Sequence, residues 1–298
     1  MQLTYEMVSG VHLVDCLFGG VPRQGGAFLV RAERNVLVDT GPTVSFERLL
    51  GALDALGVDT IDFLLLTHFH LDHAGATAML LERYPGARVM VDGRSAGYMV
   101  DPERLVKSAA RALGDLARHY GTMPPVPESS MVALSDGLVI DLGDRALEAV
   151  YSPGHSNGHY AFLERATGNL FCGDALGHYI EVEDYVYPAT PPPEFDPEVS
   201  IATAGMLGEL DPQLLLLPHF GSVDRPREVI ERFVGQVRRS LALAGELKGP
   251  DRTPAVLAGR LIEDMPDIRP EESALITGIQ EVNAAGVLHY LAQKGGQT

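Results

Sequence analysis

The sequence predicts an α/β fold that ends in a run of helices, and three observations predict it. From about residue 40 onward, short apolar runs alternate with segments of helical spacing. Consecutive strands occur twice, once near the start and again between residues 138 and 175. Beyond residue 222 the chain reads as helix.

Taken in order, "VHLVDCLF", "GAFLVRAE" and "NVLVDTGP" lie within residues 1 to about 40 and are broken by Gly and Pro, which predicts a β-meander. "VSFERLLGALDALGV" repeats its apolar residues at helical spacing, and "IDFLLLTH" reads as a strand. "AGATAMLLERYPGA" reads as a helix stopped at Pro-Gly, and "ARVMVD" as another strand. Residues 95–120 read as helical and lead into a Pro-rich link, "MPPVPESS". The segments "LVIDL", "ALEAVYSPGH", "HYAFLERA" and "NLFCGDA" are short strands separated by turn residues. "FDPEVSIATAGMLGEL" reads as a helix, "LLLLPH" as a strand, and three helices follow residue 222. No repeat of 20–50 residues and no low-complexity segment interrupts this order.

At 298 residues and 46% hydrophobic content the chain can bury a full core. The expected division is 1–222 as a catalytic unit and 223–298 as a helical extension packed on it. Forty acidic against 23 basic side chains, a formal charge of −17, oppose nucleic acid or an anionic membrane as partner. A small-molecule substrate is the expected ligand. No apolar run reaches the ~18–20 residues of a membrane span, and "MQLTYEMVSG" lacks the pattern of a secretory signal, so the expected location is cytoplasmic. Cys16 and Cys172 are too few for a disulfide framework and read as core residues.

The chemistry concentrates in "LLLTHFHLDHAG", residues 64–75. In an extended segment His68 and His70 point to one side, while Asp72 and His73 begin the following helix. Four polar groups behind a buried leucine strand are costly unless a partner satisfies them, and a divalent transition metal does so. Apolar strands end in a donor again at Asp39, His155, Asp174 and His219. Ligand sites in α/β sheets gather at the carboxyl ends of strands, so these exits can share one rim.

These residues resemble the signature of the metallo-β-lactamase fold superfamily: an Asp after an early strand (Asp39), then "HFHLDH", then His155, Asp174 and His219 at later strand ends, over residues 26 to about 222. The resemblance implies an αββα four-layer sandwich. It implies one metal site at His68, His70 and His155, a second at Asp72, His73 and His219, and Asp174 as the bridge. Asp39 matches a position that orients a ligand histidine. The implied cofactors are two divalent ions, zinc foremost, with iron or manganese as alternatives.

"SPGHSNGH" and "CGDAL" are similar to hydroxyacylglutathione hydrolases and persulfide dioxygenases, but the Gly-Cys-Gly-Arg type segment of those proteins is replaced by "GHYIEVEDYVYPATPPPEFD". That stretch and "LLPHFG" look closer to the lactonase and esterase-like branch, whose tyrosine after the bridging Asp has Tyr179 as its nearest counterpart, with Tyr185 and Tyr187 behind it. His159 is expected to make a hydrogen bond that supports the fold, and His178 is ranked below Tyr179. The expected activity is hydrolysis of small esters, lactones or thioesters by a metal-bridging hydroxide, with Asp72 handling the proton. Rival readings are a mononuclear iron persulfide-type dioxygenase, a phosphodiesterase and a non-catalytic metal-binding protein. Residues 94–130 and 177–196 are expected to shape the pocket; the helical tail is expected to cover it or to form a homodimer interface.

Overall fold

Alternation along single strands decides the architecture. In the computed structural model, which describes residues 4–267 and 269–295, Val36 and Val38 of one strand face a second sheet while Leu37 faces helices. The first sheet begins with β1 (Thr4–Val8), β2 (Val11–Asp15), β3 (Gly26–Val30) and β4 (Val36–Val38), antiparallel as the expected meander requires; residues 1–3 of that expectation lie outside the described residues. Helix α1 (Phe46–Ala55) leads to β5 (Phe63–Leu65). Helices α2 (Leu71–Ala74) and α3 (Thr77–Arg83) lead to β6 (Arg88–Asp92). Then α4 (Ala96–Val100), α5 (Glu103–Leu113) and α6 (Ala117–Tyr120) precede β7 (Met131–Leu134), an edge strand that the sequence pattern did not mark. From β4 to β7 the pairing is parallel.

The second sheet runs β8 (Val139–Asp141), β9 (Ala146–Tyr151), β10 (Tyr160–Glu164) and β11 (Asn169–Phe171), all antiparallel. A separate hairpin, β12 (His178–Ile180) and β13 (Tyr185–Tyr187), follows. Helix α7 (Pro197–Glu209) then returns the chain to β14 (Leu214–Leu217), parallel to β11, and β15 (Gly221–Val223) closes the edge. Asp196 caps α7, its carboxylate accepting the N–H groups of Glu198 and Val199.

The two sheets face each other through Phe28, Phe162, Phe171 and Leu216, with the Phe28 and Phe171 rings edge to face at 5.4 Å. The outer face of the first sheet packs on α1 and α3, and that of the second on α7 and the tail, which makes four layers in the order αββα. Both cysteines are buried and unpaired within this core.

The expected tail, 223–298, forms α8 (Pro226–Glu246), α9 (Pro254–Glu263) and α10 (Pro270–Gly295); residues 268 and 296–298 of that expectation lie outside the described residues. Phe233 and Val237 of α8, with Ala284 and Val287 of α10, enter the same apolar cluster as Leu215 and Leu217 of β14. The middle of α10 is therefore carried over the rim of the sandwich, where Thr190 is fastened to it. The Thr190 N–H donates to Asn283 Oδ1 and the Thr190 hydroxyl to the Asn283 carbonyl, both at 2.8 Å. Gly286 allows the approach, since a Cβ there would stand 1.8 Å from the Thr190 carbonyl oxygen. No helix of the described residues is long and apolar enough to cross a membrane.

Candidate metal centre

Five strand exits meet on one rim: Asp39 after β4, the His68–His73 cluster after β5, His155 after β9, Asp174 after β11 and His219 after β14. Within this rim four overlapping trios of donor atoms each lie within 4.8 Å: the two expected, His68 with His70 and His155 and Asp72 with His73 and His219, and two that share Asp174, one with His68 and His73 and one with His178 and His219. In the first trio His68 Nε2 lies 2.9 Å from His70 Nδ1, and His155 Nε2 lies 3.2 and 3.0 Å from those two nitrogens. Ligand atoms on a tetrahedral zinc, ~2.0–2.1 Å from the ion, stand roughly 3.3 Å apart. The donors are thus already gathered at the spacing that one ion requires.

Asp174 stands between the trios. Its Oδ1 is 3.3 Å from His73 Nε2 and 3.7 Å from His219 Nε2, while its Oδ2 is 3.5 Å from His155 Nε2. Oδ1 is buried and accepts no hydrogen bond among the described residues. An orphaned carboxylate oxygen is expensive to bury, and a cation between it and the imidazoles removes the cost.

The far nitrogens of these imidazoles are held. His155 Nδ1 donates to the Ala189 carbonyl at 3.0 Å and His219 Nδ1 to the Gln24 carbonyl at 2.6 Å, which leaves each Nε2 lone pair turned inward. Asp39 Oδ2 accepts from His73 Nδ1 at 2.8 Å and from the Thr67 hydroxyl at 2.9 Å, and that hydroxyl meets His68 Nδ1 at 3.0 Å. His159, expected to support the fold, accepts the Asp174 backbone N–H at 3.0 Å and meets Ser152 Oγ at 2.8 Å.

Burial pushes the His155 pKa down to about 3 and those of His70 and His219 to about 4, so all three are neutral donors at pH 7. Burial also acts to lower that of His73, but Asp174, Asp72 and Asp39 outweigh it and hold the value well above the imidazole range. For Asp174 burial acts upward, and the surrounding imidazoles, His73 first, hold it well below the carboxylate range.

The centre opens into a cavity of about 360 Å³, lined on its polar side by His70, Asp72, Tyr120, His155, Asp174 and His178. Tyr179, expected to reach the substrate, does not line it. Its hydroxyl donates instead to Asp184 Oδ1 at 2.9 Å, and Asp184 pairs with Arg225 and Arg232, so Tyr179 ties the hairpin to α8. The cause is strand alternation: in β12 the side chains of His178 and Tyr179 leave on opposite faces, and His178 takes the cavity side. Tyr187 is buried with its hydroxyl 3.2 Å from His178 Nδ1, and Tyr185 receives a hydrogen bond from Gln236.

Two residues of the cavity were not singled out from the sequence as acting groups. His178 stacks on His219 at 4.1 Å, with Nε2 3.6 Å from Asp174 Oδ2. Tyr120, at the end of α6, packs edgewise on Phe18 at 4.7 Å, and its hydroxyl makes no hydrogen bond among the described residues. Burial first, then the Asp72 and Asp174 charges, raise its pKa well above the phenol range, so it stays a donor. For His178 the signal was its place four residues after Asp174; nothing in "LARHYG" marks Tyr120.

Residues 20–219 match the family described as the metallo-beta-lactamase superfamily. The chain belongs to that superfamily. It is 30% identical over 219 residues to ST1585, a metallo-beta-lactamase fold-containing protein of Sulfurisphaera tokodaii, covering 72% of this chain and 79% of that one. The solved structure of the archaeal protein superposes with a TM-score of 0.73 at 25% identity, covering 93% of this chain and 98% of the other. A hydroxyacylglutathione hydrolase of Aeromonas hydrophila is 33% identical over 150 residues, 50% of this chain and 45% of its own length. An atrochrysone carboxyl ACP thioesterase of Aspergillus fumigatus is 32% identical over 149 residues, 49% of this chain and 38% of its own length. The αββα fold, with its helical extension, and the enzyme class, a metallo-hydrolase of this superfamily, are those expected from the sequence.

Proposed function

We propose that the chain hydrolyses small esters, lactones or thioesters with two divalent metal ions, zinc foremost, held by His68, His70 and His155 on one side and Asp72, His73 and His219 on the other. The observation that carries this reading is the division of Asp174, one carboxylate oxygen toward each trio. The two relatives named for thioester or acyl-glutathione substrates support the thioester arm of the reading. Divalent ions bound there supply Lewis acidity, activating water near neutral pH and polarising a carbonyl.

The chain's own groups do the rest. Tyr120, which lines the same cavity as Asp72 and Asp174, donates a hydrogen bond to the carbonyl oxygen as negative charge develops on it. Asp72 lines the same cavity and takes the proton of the attacking water. As the bond from carbonyl carbon to the leaving oxygen or sulfur breaks, that proton passes to the leaving atom, and a carboxylic acid and an alcohol or thiol result.

The test is elemental analysis of protein purified without added metal, followed by a panel of lactone, thioester and phosphodiester substrates with oxygen excluded. Hydrolysis of an ester, lactone or thioester supports the reading; turnover of phosphodiesters alone replaces it.

A further inference from the structure

We propose that the cavity takes the apolar acyl chain of a medium-length ester or thioester, laid between α5 and α10 with its carbonyl at the donor cluster. This rests on the hydrolase reading and names its substrate class.

The first observation is a helix face only partly covered, since Leu105 and Ala109 of α5 touch the core beside α1 and α3 yet are not buried. Helix α5 has no buried residue, yet Leu105, Ala109 and Leu113, four residues apart, all line the cavity, while Glu103, Lys107 and Arg111 are exposed. Across from this stripe stand Ile279 and Val282 of α10. A helix with one charged and one apolar face ordinarily buries the apolar one; here that face borders a hollow of about 360 Å³.

The second observation is that the hollow is preformed and continuous with the chemistry. The Thr190–Asn283 hydrogen bonds and the close packing at Gly286 fix α10 against the loop after the hairpin. His70, Asp72 and Tyr120 line the same cavity, so a carbonyl at the donors and a chain between the helices belong to one molecule. At about 30 Å³ for a water-sized group, the volume suits on the order of a dozen non-hydrogen atoms.

The third is charge. Among the described residues Arg104 is the sole Lys or Arg lining the cavity, and Glu194 adds an acid to Asp72 and Asp174. A glutathione-like group with two carboxylates would meet one cation among several anions. An alkyl chain meets Leu105, Ile279 and Val282 and displaces water that apolar walls hold poorly.

The experiment uses the metal-loaded chain with straight-chain acyl thioesters of N-acetylcysteamine from acetyl to dodecanoyl, beside direct binding of the corresponding free carboxylates by calorimetry. The expected result is a kcat/KM that rises about threefold to fourfold per methylene and levels off once the cavity is filled. In Ala109→Trp the ratio of octanoyl to acetyl turnover falls at least tenfold, and in Val282→Ala the plateau moves to longer chains, with both variants checked for wild-type circular dichroism. A flat or falling dependence on chain length, or an unchanged ratio in folded Ala109→Trp, overturns the acyl-chain proposal. Chain-length-dependent binding of carboxylates that Ala109→Trp weakens, with no thioester hydrolysed at any length, upholds the chain site and overturns the hydrolase reading instead.

Discussion

Asp39 Oδ2 stands 2.8 Å from His73 Nδ1, both side chains almost wholly buried, and this contact turns His73 Nε2 toward Asp72 and Asp174. Asp39 holds this position with a positive φ of 61°, a backbone strain that Asp tolerates better than most residues. The carboxylate thereby orients the imidazole of the second trio without itself reaching the cavity.

Asp39→Ala is therefore expected to weaken metal binding about 10–100-fold, the range for lost partners of ligating histidines. Titration of metal-free protein against a chromogenic chelator measures it. Unchanged affinity would show that the His73 ring is oriented by packing alone.

Tyr120→Phe is expected to lower kcat by about 10²-fold, as for other single oxyanion donors, with metal content unchanged. Tyr179→Phe is expected to leave kcat within about twofold and to lower the melting temperature, because Tyr179 anchors the hairpin through Asp184. The reverse pattern of kcat effects would return the role to Tyr179.

Glu164 sets one pH dependence of stability. Burial would raise its pKa, but hydrogen bonds from Arg145, Thr167 and Asn169 prevail and hold it below the ordinary value of 4.5. A carboxylate whose folded pKa is depressed stabilises fully above the unfolded value and ceases to do so as pH falls through the folded one. Stability is expected to fall below about pH 4.5, and Glu164→Gln to flatten that limb, as read by urea unfolding across pH. Arg145→Ala leaves the buried carboxylate uncompensated and is expected to cost about 3 kcal/mol at pH 7.

Gly286→Ala puts a Cβ against the Thr190 carbonyl and is expected to cost roughly 1–3 kcal/mol, more than Gly259→Ala, where no atom lies within 4 Å. Thermal melts of the two variants compare them. Equal melting temperatures would contradict the fixed docking of α10.

Much of the donor set was legible because its residues break a strong pattern: histidines two positions after "LLL" at Leu64–Leu66 and Leu215–Leu217 have no core reason to be there. The tail helices were legible from their length and from prolines at their starts, Pro226, Pro254 and Pro270. The strands β12, β13 and β15 were not, since they lack the aliphatic run that marks the equally short β4 and β5. Tyr179 misled because counting from Asp174 ignores which face of a strand a residue takes. Tyr120 was hidden because its importance lies in a fold of the chain that brings residues 72 and 120 to the lining of one cavity, an arrangement with no local signature.

The two-ion reading stands on Asp174, and metal stoichiometry measured with turnover tests it. Metal-free protein is loaded stepwise with zinc or manganese without oxygen while hydrolysis of an acyl thioester is followed. The expected result is turnover that needs two equivalents in the wild type, is abolished in His73→Ala and His219→Ala, and is nearly lost in Asp174→Ala together with one equivalent of metal. Contradiction would be full turnover with one equivalent, or an iron-dependent oxygen uptake with a persulfide that survives His73→Ala and His219→Ala.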